Sequence, residues 1–342
     1  MEKIHSPVLA KWWEPSATGK IRCTLCPRFC EMGEGQHGFC YIRKNEGNRL
    51  VSIGYGRPTG FAIDPVEKKP LSHFLPGSKI LSFGTAGCNL GCKFCQNWTM
   101  SKAKLDDLNS RYATPSDVVG LAKHYHTPSI AFTYNDPVIF GEYAADITEL
   151  ATEAGIHTVF VTAGYVTAGA REEVFRGAAA ANVDLKGFTE GFYKQLTWSD
   201  LHSVLDTLVW MKEKTNIWLE LTTLLIPGEN DSTEELKAMS KWITENLGTR
   251  VPHHFTAFHP DFKMTDRQRT PAATLQKARD IALEAGIKYV YTGNVHDPNG
   301  QTTYCPGCGG KVITRDWHSV LSINMHGNAC AKCGTVIDGV FA

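Results

Sequence analysis

The sequence predicts an α/β chain: a full or partial (β/α) barrel with a small cysteine-rich metal module at each end. Three observations point to it. From about residue 79, short apolar runs alternate with helical stretches, the pattern of repeated β-α units on a parallel sheet. The 11 cysteines fall into groups of four, three and four, with none between Cys95 and Cys305. The chain has 342 residues, 42% of them hydrophobic and 20% charged, ample for one large core with appendages. Four parts are expected: an N-terminal four-cysteine metal module (1–50), a connector (51–78), the barrel (79–300) and a zinc-ribbon-like module (301–342).

Composition also narrows the function. Formal net charge is zero, so no overall field draws the protein to nucleic acid. No stretch approaches the roughly 18 apolar residues that a membrane span needs. Met1 to Trp13 contains no apolar signal core. A soluble, cytoplasmic protein is expected. A disulfide framework would spread bridges through a secreted chain, whereas clustered cysteines in a chain without a signal favour metal.

In order along the chain, Cys23, Cys26, Cys30 and Cys40 lie in a loop-rich stretch punctuated by Gly33, Gly35 and Gly38. Their spacing suits zinc or a second iron–sulfur cluster, and the stretch has too little apolar sequence for its own core. Asp64-Pro65-Val66-Glu67-Lys68-Lys69-Pro70-Leu71 reads as part of a connector packed on the barrel. Strands are expected at 79–83, 129–134, 157–162, 182–185, 217–225, 254–258 and 288–291. Helices are expected at 115–125, 140–154, 167–179, 200–214, 232–246 and 270–285. In the last, Leu275, Ala278, Ile281 and Ala282 recur at helical spacing. Ser232 followed by Glu235 reads as a capping box. Chemistry in such folds gathers at the C-terminal ends of the strands.

The first strand leads to Gly87-Cys88-Asn89-Leu90-Gly91-Cys92-Lys93-Phe94-Cys95-Gln96-Asn97. Three thiolates, Cys88, Cys92 and Cys95, can hold three corners of a [4Fe–4S] cluster and leave one iron open to a small molecule. A zinc loop or incidental cysteines is the plainer alternative. The spacing, the glycines and Phe94 resemble the cluster loop of the radical S-adenosylmethionine (SAM) enzymes. There the methionine end of SAM chelates the open iron, and an electron cleaves SAM to a 5′-deoxyadenosyl radical.

If SAM sits there, later strand ends must hold it. Asn135-Asp136 is suited to the SAM amino group, or else is a helix cap. Asp184 and Lys186 share one strand face; the lysine suits the SAM carboxylate, and the pair is otherwise a structural ion pair. Glu220, inside an apolar strand, needs a partner if it faces inward. His259 ends the sixth strand and is a candidate for adenine, ribose or substrate. Only one of His253 and His254 can face inward. Tyr165, Tyr291 and Asn294 are weaker pocket candidates. Cys305, Cys308, Cys330 and Cys333 form two C-x₂-C pairs that suit one tetrahedral ion, zinc or a single iron. Arg315, Trp317 and His318 between them either contact a macromolecule or simply pack.

Taken together, the cluster loop, the Asp64–Pro70 segment, Thr133-Tyr134-Asn135-Asp136-Pro137, Asn182-Val183-Asp184-Leu185-Lys186 and Phe255-Thr256-Ala257-Phe258-His259-Pro260 resemble the AmmeMemoRadiSam system radical SAM enzymes. Both outer cysteine groups fit that family. More distantly, the core is similar to pyruvate formate-lyase activating enzymes. The resemblance implies SAM contacts at the positions of Asn135, Asp136, Asp184, Lys186 and His259. Val161-Thr162-Ala163-Gly164 departs from the activase pattern Asp-Thr-Asn-Gly, losing an acid and an amide, and Asp136 stands where Glu is common. The resemblance further implies a ferredoxin or flavodoxin as electron donor, a Memo-like or AMMECR-domain partner, and hydrogen abstraction from a protein or peptide. Radical modification of RNA or a small molecule is the first alternative. A non-catalytic iron–sulfur electron-transfer protein is the second.

Overall fold

The computed structural model describes residues 8–108 and 110–341. Residues 1–7 of the stretch read for a leader lie outside the described residues. One sheet of eight strands forms the core: β1 (Thr59–Pro65), β2 (Lys79–Gly84), β3 (Ser129–Phe132), β4 (His157–Thr162), β5 (Ala180–Asp184), β6 (Trp218–Leu225), β7 (His253–Ala257) and β8 (Val290–Gly293), hydrogen-bonded in that order. β2 to β8 run parallel, and β1 lies antiparallel beside β2. β1 and β8 are the two edges, so the barrel is partial.

Six helices link the successive parallel strands: α1 (Pro115–His124), α2 (Gly141–Glu153), α3 (Ala168–Val174), α4 (Leu201–Lys214), α5 (Thr233–Asn246) and α6 (Ala272–Glu284). Local chemistry sets their starts. Thr114 and Asp117 exchange hydrogen bonds across the first turn of α1, and Asp200 accepts from the Ser203 N–H at the start of α4. The capping box expected at α5 is only half present. Ser232 accepts from the Glu235 N–H, but the Glu235 carboxylate takes the Phe188 N–H at 2.6 Å instead of reaching back. α3 stops five residues short of its expected end at 179, before Gly177, which holds φ +76°.

The outer face of the sheet packs on the helices through residues such as Leu221, Phe255, Leu208, Leu236 and Leu275. The lower half of the interior is filled by a segment that returns between β1 and β2. Val66, Leu71 and Phe74 pack on Ile80, Ala131, Val159 and Ala180 and close the barrel floor. Each fully buried side chain of this kind contributes about 1.5–3 kcal/mol. Val340 pairs beside this segment: Leu75 N donates to Val340 O and Val340 N to His73 O, both at 2.7 Å.

Short antiparallel strands make up both flanking modules. The N-terminal one is fixed to α2 by the buried Arg43–Glu142 ion pair at 2.5 Å. In the C-terminal module, Arg315 donates to the carbonyls of Ser72 and Gln301 and to the Thr303 hydroxyl, at 2.7, 3.2 and 2.9 Å, and so joins that module to the floor. Among the described residues, no helix is long and apolar enough to cross a membrane.

Candidate functional site

The loop after β2 opens onto a cavity of about 440 Å³ at the C-terminal ends of the parallel strands, and Cys88, Cys92 and Cys95 all line it. The loop is tightly packed. Gly91 lies under the Trp198 ring, where a Cβ would come within 2.6 Å of a ring carbon. The Leu90 N–H points at Cys88 Sγ at 3.4 Å, and Cys95 Sγ lies 3.1 Å from Ser101 Oγ. Burial pushes the Cys92 thiol up to about 12 and raises Cys88; Lys102 opposes both shifts and Lys186 that of Cys92. Coordination as thiolates, beside these cations, relieves that penalty.

At the end of β3 the backbone turns sharply. Tyr134 holds φ +72°, a left-handed conformation costly for a residue with a Cβ. The turn divides the work of the next two residues. Asn135 braces the cysteine loop: its Oδ1 accepts from Thr85 N, and its Nδ2 donates to Thr85 Oγ1 and to Gly87 O at 2.7 Å. Asn135 and Asp136 both line the cavity, and Asp136 makes its bonds elsewhere. Its Oδ1 accepts from Val138 N and from Thr162 Oγ1 at 2.8 Å, which fixes the side chain. Its Oδ2 is buried and has no hydrogen-bond partner. Burial pushes the carboxyl up to about 6, against the hydrogen bonds from Thr162 and Val138 and the field of Lys186.

Across the cavity, Lys186 pairs with Asp184 at 2.8 Å. Burial disfavours the lysine's charge, but Asp184 and Cys92 outweigh it and raise its pKa. Phe94 is buried against Phe192 and forms one wall. Tyr291 and Asn294 also line the cavity.

Other expected residues lie elsewhere. His259 is exposed and outside the cavity, because β7 ends at Ala257 and the chain leaves the sheet before it. The histidine that lines the cavity is His254, while His253 turns outward to the Thr223 hydroxyl at 2.9 Å. Glu220 is a strut within the barrel. It accepts from the N–H groups of Ser72 and His73, from Trp218 Nε1, and from His254 Nε2 at 2.7 Å. Burial alone would raise its carboxyl, but the hydrogen bond and charge of His254 win and lower it to about 2. Tyr165 supports the loop through its backbone, accepting from Asn89 Nδ2 at 2.9 Å, and is not a cavity residue.

Sequence reading missed Thr162, the anchor of Asp136; its place at the C-terminal end of β4 was the available signal. It also missed Lys69, which lines the cavity from the connector and pairs with Asp64 at 2.6 Å. Arg315, Trp317 and His318 of the C-terminal module complete the far wall.

Residues 83–240 match the description of the radical SAM superfamily. These residues form a radical SAM domain. The chain is an enzyme of that class. Over 333 residues it is 39% identical to the uncharacterized protein MJ0808 of Methanocaldococcus jannaschii, covering 96% of this chain and 98% of the relative. Over 210 residues it is 25% identical to the pyruvate formate-lyase-activating enzyme of Clostridium pasteurianum, covering 56% of this chain and 84% of the relative. The fold is similar to that of a radical SAM methyltransferase from Sphaerobacter thermophilus, with a TM-score of 0.52 and 15% identity over 65% of this chain and 68% of that one.

A radical SAM domain implies SAM and a [4Fe–4S] cluster. The site fits both: three cysteines line one cavity without a fourth, and Asp136, which lines the same cavity, keeps a buried carboxylate oxygen with no partner, suited to an ammonium group.

At the other end of the chain, the ligand atoms of Cys305, Cys308, Cys330 and Cys333 all lie within 4.8 Å of one another. Cys305 and Cys333 sulfurs are 3.5 Å apart, and those of Cys308 and Cys330 3.9 Å. A tetrahedral ion with metal–sulfur bonds of about 2.3 Å needs edges of about 3.8 Å, so this group can hold one metal ion.

Proposed function

We propose that this enzyme cleaves SAM reductively at a [4Fe–4S] cluster held by Cys88, Cys92 and Cys95, and takes hydrogen from a protein or peptide. Asp136 carries the reading: it lines the cavity that the three cysteines line, and its Oδ2 is a buried acceptor with no partner. A cluster held by Cys88, Cys92 and Cys95 would supply the electron for reductive cleavage of SAM. The chain's own residues orient and enclose. Asp136, locked by Thr162, receives the amino group. Lys186, held by Asp184, meets the carboxylate. Phe94 walls the site against water. A non-catalytic electron carrier would have no use for a buried orphan acceptor beside its cluster.

The polypeptide substrate is supported by similarity to the activating enzyme. One observation favours a small polar molecule as the second reading: Lys69, Arg315 and His318 share the far wall. RNA is disfavoured by the zero net charge.

The same proposal includes membership of the AmmeMemoRadiSam system, with a Memo-like or AMMECR-domain protein as partner or substrate, and a ferredoxin or flavodoxin as donor. It includes zinc at the C-terminal cysteines and a cytoplasmic, thiol-reducing location. The test is an anaerobic assay of cluster-loaded protein with SAM and dithionite. Formation of 5′-deoxyadenosine is expected, with deuterium appearing in it when the correct labelled substrate is present. An intact cluster with no cleavage of SAM would sink the reading.

A further inference from the structure

Two groups of four cysteines flank the barrel, and their geometries differ. The C-terminal four meet at the spacing of a single ion. The N-terminal four do not: among the described residues, no other three His, Cys, Asp or Glu side chains bring their ligand atoms within 4.8 Å of one another. Yet Cys23, Cys26, Cys30 and Cys40 all wall one cavity, closed by the apolar Leu25 and Ile139. A tetrahedral ion pulls its thiolates to about 3.8 Å apart. A cubane places its four thiolates on four irons, so they must surround a common space without meeting.

We propose that Cys23, Cys26, Cys30 and Cys40 hold a second [4Fe–4S] cluster, with no open iron, that relays electrons to the cluster on Cys88, Cys92 and Cys95. One sulfur has a backbone donor. The Phe39 N–H points at Cys30 Sγ at 3.5 Å. Such donors stabilise the negative sulfurs of a cluster. Cys23, Cys26 and Cys40 are buried and Cys30 is half-buried, so the Cys30 corner is the one nearest solvent.

The placement suits a relay. The Cys40 carbonyl packs on Gly87, which holds φ +80°; a Cβ there would lie 1.9 Å from that oxygen, so only glycine permits the contact. Gly87 directly precedes Cys88. Arg28, between Cys26 and Cys30, donates through Nε to the carbonyl of Asn89, which directly follows Cys88 and itself lines the N-terminal cavity. The residues on both sides of Cys88 therefore touch the N-terminal module. One electron from an external low-potential donor protein arrives at the Cys30 corner and leaves across the Cys40–Gly87 contact. No bond or proton changes hands. The relay rests on the radical SAM reading; the second cluster does not.

The test uses full-length protein reconstituted without oxygen, as wild type and as a Cys88→Ala/Cys92→Ala/Cys95→Ala variant that leaves the N-terminal module intact. The variant is expected to keep about four acid-labile sulfides per chain and a [4Fe–4S] EPR signal on reduction that SAM leaves unchanged, since no iron is open. An extra zinc in place of labile sulfide would overturn the second cluster. In fully reduced wild type, two neighbouring clusters should give a broadened, fast-relaxing EPR signal. A plain sum of two independent signals would overturn the relay. Labile sulfide in the variant without SAM cleavage in the wild type would uphold the second cluster and reject only the radical SAM reading.

Discussion

At the scale of single residues, Asp136 decides whether the cavity is a SAM site. Its Oδ1 is committed to Thr162 and Val138, so Oδ2 is the atom left for a ligand. Asp136→Asn keeps the shape and removes the charge. A hydrogen bond to a charged group contributes about 1.5–3 kcal/mol, so the variant should bind SAM roughly ten- to hundredfold more weakly. Calorimetric titration of cluster-loaded protein measures this, and iron content should stay unchanged. Asp136 was legible as a candidate from its place at a strand end before proline, and the cap that the sequence equally allows is also made, by Oδ1 accepting from Val138 N. The separate task of Asn135 was not legible. Strand alternation carries no sign of the left-handed turn at Tyr134, after which Asn135 and Asp136 both line the cavity and Asn135 also braces the cysteine loop. For the same reason His259 was mistaken for a pocket residue: alternation cannot show where β7 leaves the sheet. Where the strand is regular, alternation succeeded, allowing one of His253 and His254 to face inward.

At the scale of elements, the strut through β6 and β7 makes a prediction about pH. His73 donates its backbone N–H to Glu220 and packs its ring against Tyr289, with Nε2 2.6 Å from the Tyr291 hydroxyl. Burial lowers its pKa to about 4, despite the pull of Glu220, from an ordinary value of 6.5. The unfolded chain therefore binds a proton between these values that the native chain does not, and stability falls as pH drops through the window. His253, lowered by burial to about 3, adds to the same trend. Glu220 contributes only at lower pH, its stabilisation being lost as pH falls from 4.5 toward 2. Thermal unfolding should show Tm constant above about pH 7 and several degrees lower by about pH 5. A flat profile would show that the buried histidines do not set it. All seven parallel strands and six helices were legible, because apolar periodicity and caps are local. The strand β1 was not, since Pro65 and the charged run after it read as a connector.

At the scale of the whole molecule, the C-terminal cysteines reach the cavity through Arg315, whose guanidinium ties the far wall to the floor segment at Ser72. Metal sites of this type contribute directly to folding. Cys330→Ser should lower Tm by at least several degrees and leave the labile sulfide of the central cluster in place, as measured by calorimetry and sulfide analysis. Loss of sulfide as well would mean that the module supports the whole barrel. The grouping of cysteines, and hence the central loop and the C-terminal group that can hold a metal ion, could be read directly from spacing. The closure of the floor could not. His73 Nδ1 meets the Asp338 carbonyl at 2.6 Å across 265 positions of sequence, and no local pattern reports a contact of that range. That closure bears on synthesis. A nascent chain can form the successive β-α units as they emerge, but the underside of the barrel stays open until Val340 has left the ribosome. Until then Phe74 and Val66 have an incomplete cover, and the growing chain offers chaperones an apolar face that the finished protein hides.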